Sequence, residues 1–171
     1  MDVTVLMAMT LDGKIAQHAD HFPDWTPPED KRFFSERTRR AGVVIMGSRT
    51  FDTLGKPLPG RLNVVMTRDA SRTSPWTNLL FTSDPPRRIL AWLESLGYTE
   101  AIVAGGALVN SLFAAEGLID RLVVTISPKI FGTGISLFSS EISMDLELKD
   151  VRRLGRDLVV LTYKVVRPVP G

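Results

Sequence analysis

An α/β fold with a mostly parallel central sheet, flanking helices and a C-terminal antiparallel hairpin is what this chain of 171 residues predicts. Three observations carry it. Short, nearly continuous apolar runs such as "VTVLMAM", "GVVIMG" and "EAIVAGG" read as strands buried on both faces, the habit of parallel sheets. Segments with helical spacing stand between them. The final quarter alternates apolar and polar residues around "GRD", the pattern of a closing hairpin.

The elements follow in order. The run 3–9 is a buried strand, and "LDGK" turns at Asp12-Gly13. Residues 17–24 are mostly polar, contain both histidines, and read as a loop. "WTPPEDKRFF" opens a helix predicted to reach about residue 40. Thr26 serves as N-cap, Pro27 takes the first helical position, and Glu29 completes a capping box three residues after Thr26. A second buried strand covers 42–47, and "SRTFDTL" starts a short helix directly after it. "KPLPGR" is a proline-glycine connection into a third strand, 62–67. A polar loop, 69–77, leads to a weak strand, 78–82. Residues 85–96 carry Ile89, Leu90, Trp92, Leu93 and Leu96 at helical spacing and end at Gly97. Strand 100–106, helix 107–115 and strand 120–126 follow. "FGTGISLF" is a glycine-punctuated connection, and 146–154 with 157–166 form the hairpin.

Length fits one domain with a substantial core. Composition is that of an ordinary globular chain, 44% hydrophobic and 23% charged. No apolar run approaches the ~20 residues of a membrane helix, and the N-terminus has no basic leader, so the expected compartment is the cytoplasm. With no cysteine, disulfides, thiolate metal sites and cysteine nucleophiles drop out. With only His18 and His21, no metal centre is expected. Net charge is +2, and the bases are interleaved with acids. The densest group, Lys31, Arg32, Arg37, Arg39 and Arg40, reads as the solvated face of one helix. No basic stripe suited to nucleic acid is present. The mild excess of bases suits a small polyanionic ligand.

Ligands of open α/β sheets bind at the carboxyl ends of strands, often on helix N-termini. In "IMGSRTF", Gly47 permits a tight turn, and Ser48, Arg49 and Thr50 set hydroxyls and a guanidinium at a helix start. In "VAGGALV", Gly105 and Gly106 leave room for a ligand to approach the backbone. In "MTRD", Thr67 and Arg68 end a strand with a hydroxyl and a cation. Neither the dinucleotide fingerprint G-x-G-x-x-G after a strand nor the P-loop pattern is met. Asp30 has two readings from its own window. It is a first-turn acid favoured by the helix dipole, or a carboxylate on the same face as Phe33 and Phe34, bordering an apolar pocket.

Taken together, "VVIMGSRTF", "GKPLPGRLNVVMTR" and "IVAGG", in that order, resemble the dihydrofolate reductase fold family. That family includes the reductase domain of riboflavin biosynthesis, which "MTLDGKIA" and "PKIFGTGISLF" resemble more. The resemblance covers nearly the whole chain and implies an NADPH-dependent reductase. It puts Asp30 at the catalytic carboxylate, Trp25 at the active-site tryptophan and Thr125 at the threonine bonded to the carboxylate. Ala8 and Ile15 match positions that hold the nicotinamide carboxamide. Ser48, Arg49, Thr50, Thr67 and Arg68 match the cofactor phosphate contacts, with Arg68 suited to the 2′-phosphate, and Gly47 before them counts among the cofactor-binding residues. Gly105 and Gly106 match a glycine pair joined by a cis peptide. Phe33 and Phe34 are expected to cover the substrate ring, and Arg61 to bind the glutamate tail of folate. Ser48 and Leu108 depart from the commoner residues at cofactor contacts. The implied substrate is a small molecule: dihydrofolate, or the phosphoribosylaminopyrimidine of the riboflavin route. Pairing through sheets in riboflavin-type members implies a homodimer.

Overall fold

The computed structural model describes residues 1–21 and 23–167. In chain order the elements are β1 (Asp2–Thr10), β2 (Lys14–Ala16), α1 (Pro28–Ala41), β3 (Val43–Gly47), α2 (Ser48–Leu54), β4 (Leu62–Met66) and β5 (Leu79–Thr82). There follow α3 (Pro86–Ser95), β6 (Glu100–Val103), α4 (Ala107–Ala115), β7 (Arg121–Ser127), β8 (Ile135–Ser136), β9 (Asp145–Leu154) and β10 (Leu158–Val166).

Eight strands form one sheet in the order β5-β4-β3-β6-β1-β7-β10-β9. From β5 to β7 every pairing is parallel. β10 runs antiparallel to β7 and to β9, so the predicted hairpin closes one edge. Alternation sorts the strand residues onto two faces. Val3 and Val5 of β1 and Val43 and Ile45 of β3 pack against Ile89 and Leu93 of α3 and Phe113 of α4. On the opposite face Leu6, Ile102 and Val123 meet Phe33 of α1, and Val44, Met46 and Val65 meet Phe51 of α2. Covering both faces lets the central strands be apolar throughout. Among the described residues no helix is long and apolar enough to cross a membrane.

Three local expectations are corrected. The α1 cap is Pro27, in extended conformation and with no side-chain bond, so the capping box does not form. Thr26 lies one residue too early to cap; Glu29 instead approaches Arg32 at 3.7 Å. The strand read as 100–106 ends at Val103, where backbone bonds from Ala104 N–H to Ile45 O and from Gly47 N–H to Gly105 O, both 2.8 Å, lead into the next junction. Finally, "GKIA" and the connection around 131–138 contain a second sheet, β2 paired antiparallel with β8. Strands of three and two residues are too short to show a period. Their contact depends on Gly134, at φ 150, where an added Cβ would stand 2.5 Å from Ala16 O. Asp12 ties the same two segments: it accepts N–H bonds from Phe131 at 3.2 Å and Gly132 at 2.7 Å.

Candidate functional site

A cleft of about 1070 Å³ opens along the carboxyl ends of β1, β3, β4 and β5, with α1 on one side and the start of α4 on another. Sheet topology explains its position. Parallel strands end together, and their connections leave in both directions, so a crevice forms there.

Asp30 lines this cleft in the first turn of α1 and is only 7% exposed. Burial pushes its carboxyl above the usual range; hydrogen bonds from the Thr125 and Thr26 hydroxyls, and the charge of Lys31, pull it partway back. Thr125 reaches it from β7, in register with Ala8 on β1. Ala8 and Ile15 line the cleft, as does Trp25. The Trp25 ring meets Phe131 edge-on at 5.3 Å, and its buried Nε1–H has no acceptor among the described residues.

Phe33 and Phe34 separate. Phe34 lines the cleft, but Phe33 turns into the core beneath α1, and the Arg152 guanidinium stacks on its ring at 4.6 Å. The expectation that both cover a ring is therefore corrected. Successive helix residues point about 100° apart, and here that rotation sends Phe33 into the core and Phe34 to the cleft.

At the other end, Gly47, Ser48, Arg49 and Thr50 line one wall, and Thr67 and Arg68 line another. Arg49 and Arg68 are exposed and have no ion-pair partner among the described residues, unlike Arg72, which holds Asp52 at 2.5 Å. The Gly105–Gly106 peptide is cis. Gly105 has φ +84, and an added Cβ would come within 2.9 Å of Met7 Cε. Gly106 and the exposed Leu108 face the cleft. Sequence reasoning missed Thr82 and Ser83, which line the cleft beside Thr67. The rule that sites gather at strand carboxyl ends pointed to them, since β5 is the next parallel strand.

Arg61 also borders the cleft but is 5% exposed and tied into the protein. Its Nε and one terminal nitrogen donate to Pro59 O at 3.1 and 3.0 Å. The other terminal nitrogen donates to Ser35 O at 3.3 Å and to the Thr38 hydroxyl. A last bond reaches Ser35 Oγ at 3.4 Å. Burial, and then the charge of Arg39, lower its basicity. Among the described residues no group of three or more His, Cys, Asp or Glu could hold a metal ion.

This sheet order, the paired glycine junctions and a cleft lined by one buried carboxyl and by exposed arginines define a protein of the dihydrofolate reductase fold class. The chain belongs to the RibD C-terminal domain family, whose model matches residues 2–160. A dihydrofolate reductase of Lactococcus lactis is 33% identical over 108 residues, 62% of each chain. The riboflavin biosynthesis protein RibD of Aquifex aeolicus is 39% identical over 79 residues, 43% of this chain and 22% of that protein. The matches therefore span less than two thirds of those relatives. The crystal structure of a putative riboflavin biosynthesis protein from Shewanella shares the fold, with a TM-score of 0.77 at 23% identity, covering 98% of this chain and 100% of that one.

Proposed function

We propose that the chain is an NADPH-dependent reductase that acts on a pterin, converting 7,8-dihydrofolate to tetrahydrofolate. The observation that carries this reading is the buried Asp30 carboxyl, with the Thr125 hydroxyl acting on it, in a cleft that Trp25 also lines and whose other walls carry Arg49 and Arg68.

The far end suits the cofactor. Ser48, Arg49 and Thr50 from one wall and Thr67 and Arg68 from the other offer hydroxyls and two exposed guanidinium groups, a donor set suited to phosphates. Ala8 and Ile15 would flank the nicotinamide, and Gly47, Gly105 and Gly106 would let it lie close to the backbone. NADPH, when bound, supplies the hydride.

The chain's own residues do the rest. Asp30 accepts the paired hydrogens of an amidine-like ring edge, fixing the ring in one orientation. Its raised proton affinity lets the carboxyl hold a proton closer to neutral pH than an exposed acid would. Thr125 and Thr26 orient that carboxyl through their hydroxyls. Phe34 covers a ring face and keeps water out. Trp25 Nε1–H is a donor still to be satisfied beside the reacting ring. In the balanced reaction C6 of the ring gains a hydride and N5 gains a proton.

A second reading is reduction of 5-amino-6-(5-phosphoribosylamino)uracil, in which the ribose opens to a ribityl chain. The family match over residues 2–160 favours it. So does Arg61, whose five N–H groups already have protein acceptors. The reading extends to a cytoplasmic homodimer, for which the exposed Leu146, Leu148 and Val151 on the closing hairpin offer an apolar face. Sedimentation tests the dimer. Loss of reduced-nicotinamide absorbance tests the activity: oxidation of NADPH with dihydrofolate supports the first reading, oxidation with the pyrimidine alone the second, and oxidation with neither ends both.

A further inference from the structure

Lys31, next to Asp30, is a cation at the substrate end of the cleft. It lines the cleft and is exposed. Arg32 beside it is drawn to Glu29, whereas Lys31 has no ion-pair partner among the described residues. On α1 Lys31 shares a face with Ser35, four residues on. Ser35 lines the same wall and leads to Arg61, which donates to both its carbonyl and its hydroxyl.

Arg61 is poorly placed to grip a ligand. A guanidinium has five N–H groups, and each has an acceptor here: Pro59 O twice, Ser35 O, Ser35 Oγ and the Thr38 hydroxyl. All four acceptor atoms are neutral, so its charge has no counter-ion among them. It acts as a fixed positive charge behind the wall. A bidentate hold on an anion would require it to release bonds that anchor α1 to the turn before β4.

We propose that Lys31 is the specificity-determining residue for the anionic group of the substrate, its ammonium closing on a carboxylate or phosphate held against the Ser35–Arg61 wall. The proposal rests on the reductase reading above. It places the ring on Asp30 and the anion one helical turn away, past Phe34. The anion is kept from Asp30 by like charge and drawn outward by two cations. A folate carboxylate and a ribose phosphate share this chemistry, so the test separates them.

The experiment compares wild type, Lys31→Met and Lys31→Arg by steady-state NADPH oxidation. Substrates come in pairs: dihydrofolate with a 6-methyl dihydropterin, and the phosphoribosyl pyrimidine with its dephosphorylated riboside. A charge-assisted bond lost at an exposed site is expected to raise KM for the anionic member about tenfold in Lys31→Met. The uncharged partner's KM should rise much less, and Lys31→Arg should restore the difference. The pair that shows the split identifies the anion. Equal KM changes within a pair overturn the proposal. So does an unchanged KM with a shifted pH profile of kcat, which would make Lys31 a tuner of Asp30. A wild type that oxidises NADPH with none of the four substrates fails the reductase reading itself, a result distinct from either.

Discussion

The Thr125 hydroxyl on β7 lowers the proton affinity of the Asp30 carboxyl on α1, so the fold brings together two residues that lie 95 positions apart in sequence (125 − 30). Thr125 thereby offsets part of the burial that disfavours the charge of this carboxyl. Asp30→Asn keeps the size and removes both the charge and the proton. Hydride transfer should fall by about 10²-fold or more, the scale of a lost electrostatic or acid–base group. Single-turnover NADPH oxidation measures it. A near-normal rate in Asp30→Asn, with a lost rate in Glu29→Gln, would move the role to the neighbouring acid.

The same substitution should stabilise the protein. Burial raises the Asp30 carboxyl above its ordinary value of 3.8. The folded state then binds a proton more tightly than the unfolded chain. The group's favourable contribution is complete below 3.8 and is lost as pH rises through the folded value. Above that, the buried charge opposes folding. Thermal melts of Asp30→Asn should therefore exceed wild type at neutral pH, by about 2–4 °C for each 1 kcal/mol in a chain of this size. The gap should close in acid, below the ordinary carboxylate range. A variant that melts lower than wild type at neutral pH would contradict the sign.

On the reductase reading, cofactor preference is expected to rest on Arg68. It is exposed at the end of β4 and faces the cleft. Arg68→Ala should weaken NADPH binding by roughly 1.5–3 kcal/mol and disturb NADH far less, because only NADPH carries the 2′-phosphate. Titration calorimetry with both cofactors decides it; equal losses would remove Arg68 from phosphate reading.

Arg61 should act on stability more than on turnover. Removing its side chain leaves Pro59 O, Ser35 O and the Thr38 hydroxyl without a donor they now have. Arg61→Leu is expected to cost roughly 1–3 kcal/mol, read as a lower urea midpoint. If stability is unchanged and only the KM for dihydrofolate rises, Arg61 grips the substrate after all.

Gly134→Ala strikes a distant contact. The new Cβ would lie 2.5 Å from Ala16 O, a backbone atom that cannot swing away, at a φ of 150 that L-residues avoid. A loss of roughly 1–3 kcal/mol is expected, together with faster amide exchange at residues 14–16. An exchange pattern like that of wild type would show that β2 and β8 tolerate the side chain.

The sheet was readable because its strands are buried on both faces, and that burial leaves unbroken runs such as "GVVIMG". The cleft's position followed from the carboxyl ends of those strands. What remained hidden depended on direction and on short contacts. Phe33 and Phe34 look equivalent as letters, yet about 100° of helix rotation sends one to the core and the other to the cleft. Thr26 matched a cap by spacing, but the helix starts two residues later and its hydroxyl serves Asp30. Arg61 had the right type and turn for a carboxylate grip, and only its five occupied N–H groups show what holds it. Lys31 was lost among the bases of α1 because composition does not say which side faces the site.

β1 lies inside the sheet, between β6 and β7. Asp2 is in register with Glu100, and Thr4 with Arg121. Among the strands of this sheet β1 comes earliest in the chain, and it must wait, with both hydrogen-bonding edges open, until residues 100–127 have been added. Closing so long a loop costs entropy before either edge is satisfied, and sheets of this kind assemble slowly for that reason. The apolar "VTVLMAM" is thus the strand of this sheet that stays unpaired longest as the chain is made, and a ribosome-bound fragment that stops before β7 cannot complete the centre of its own sheet.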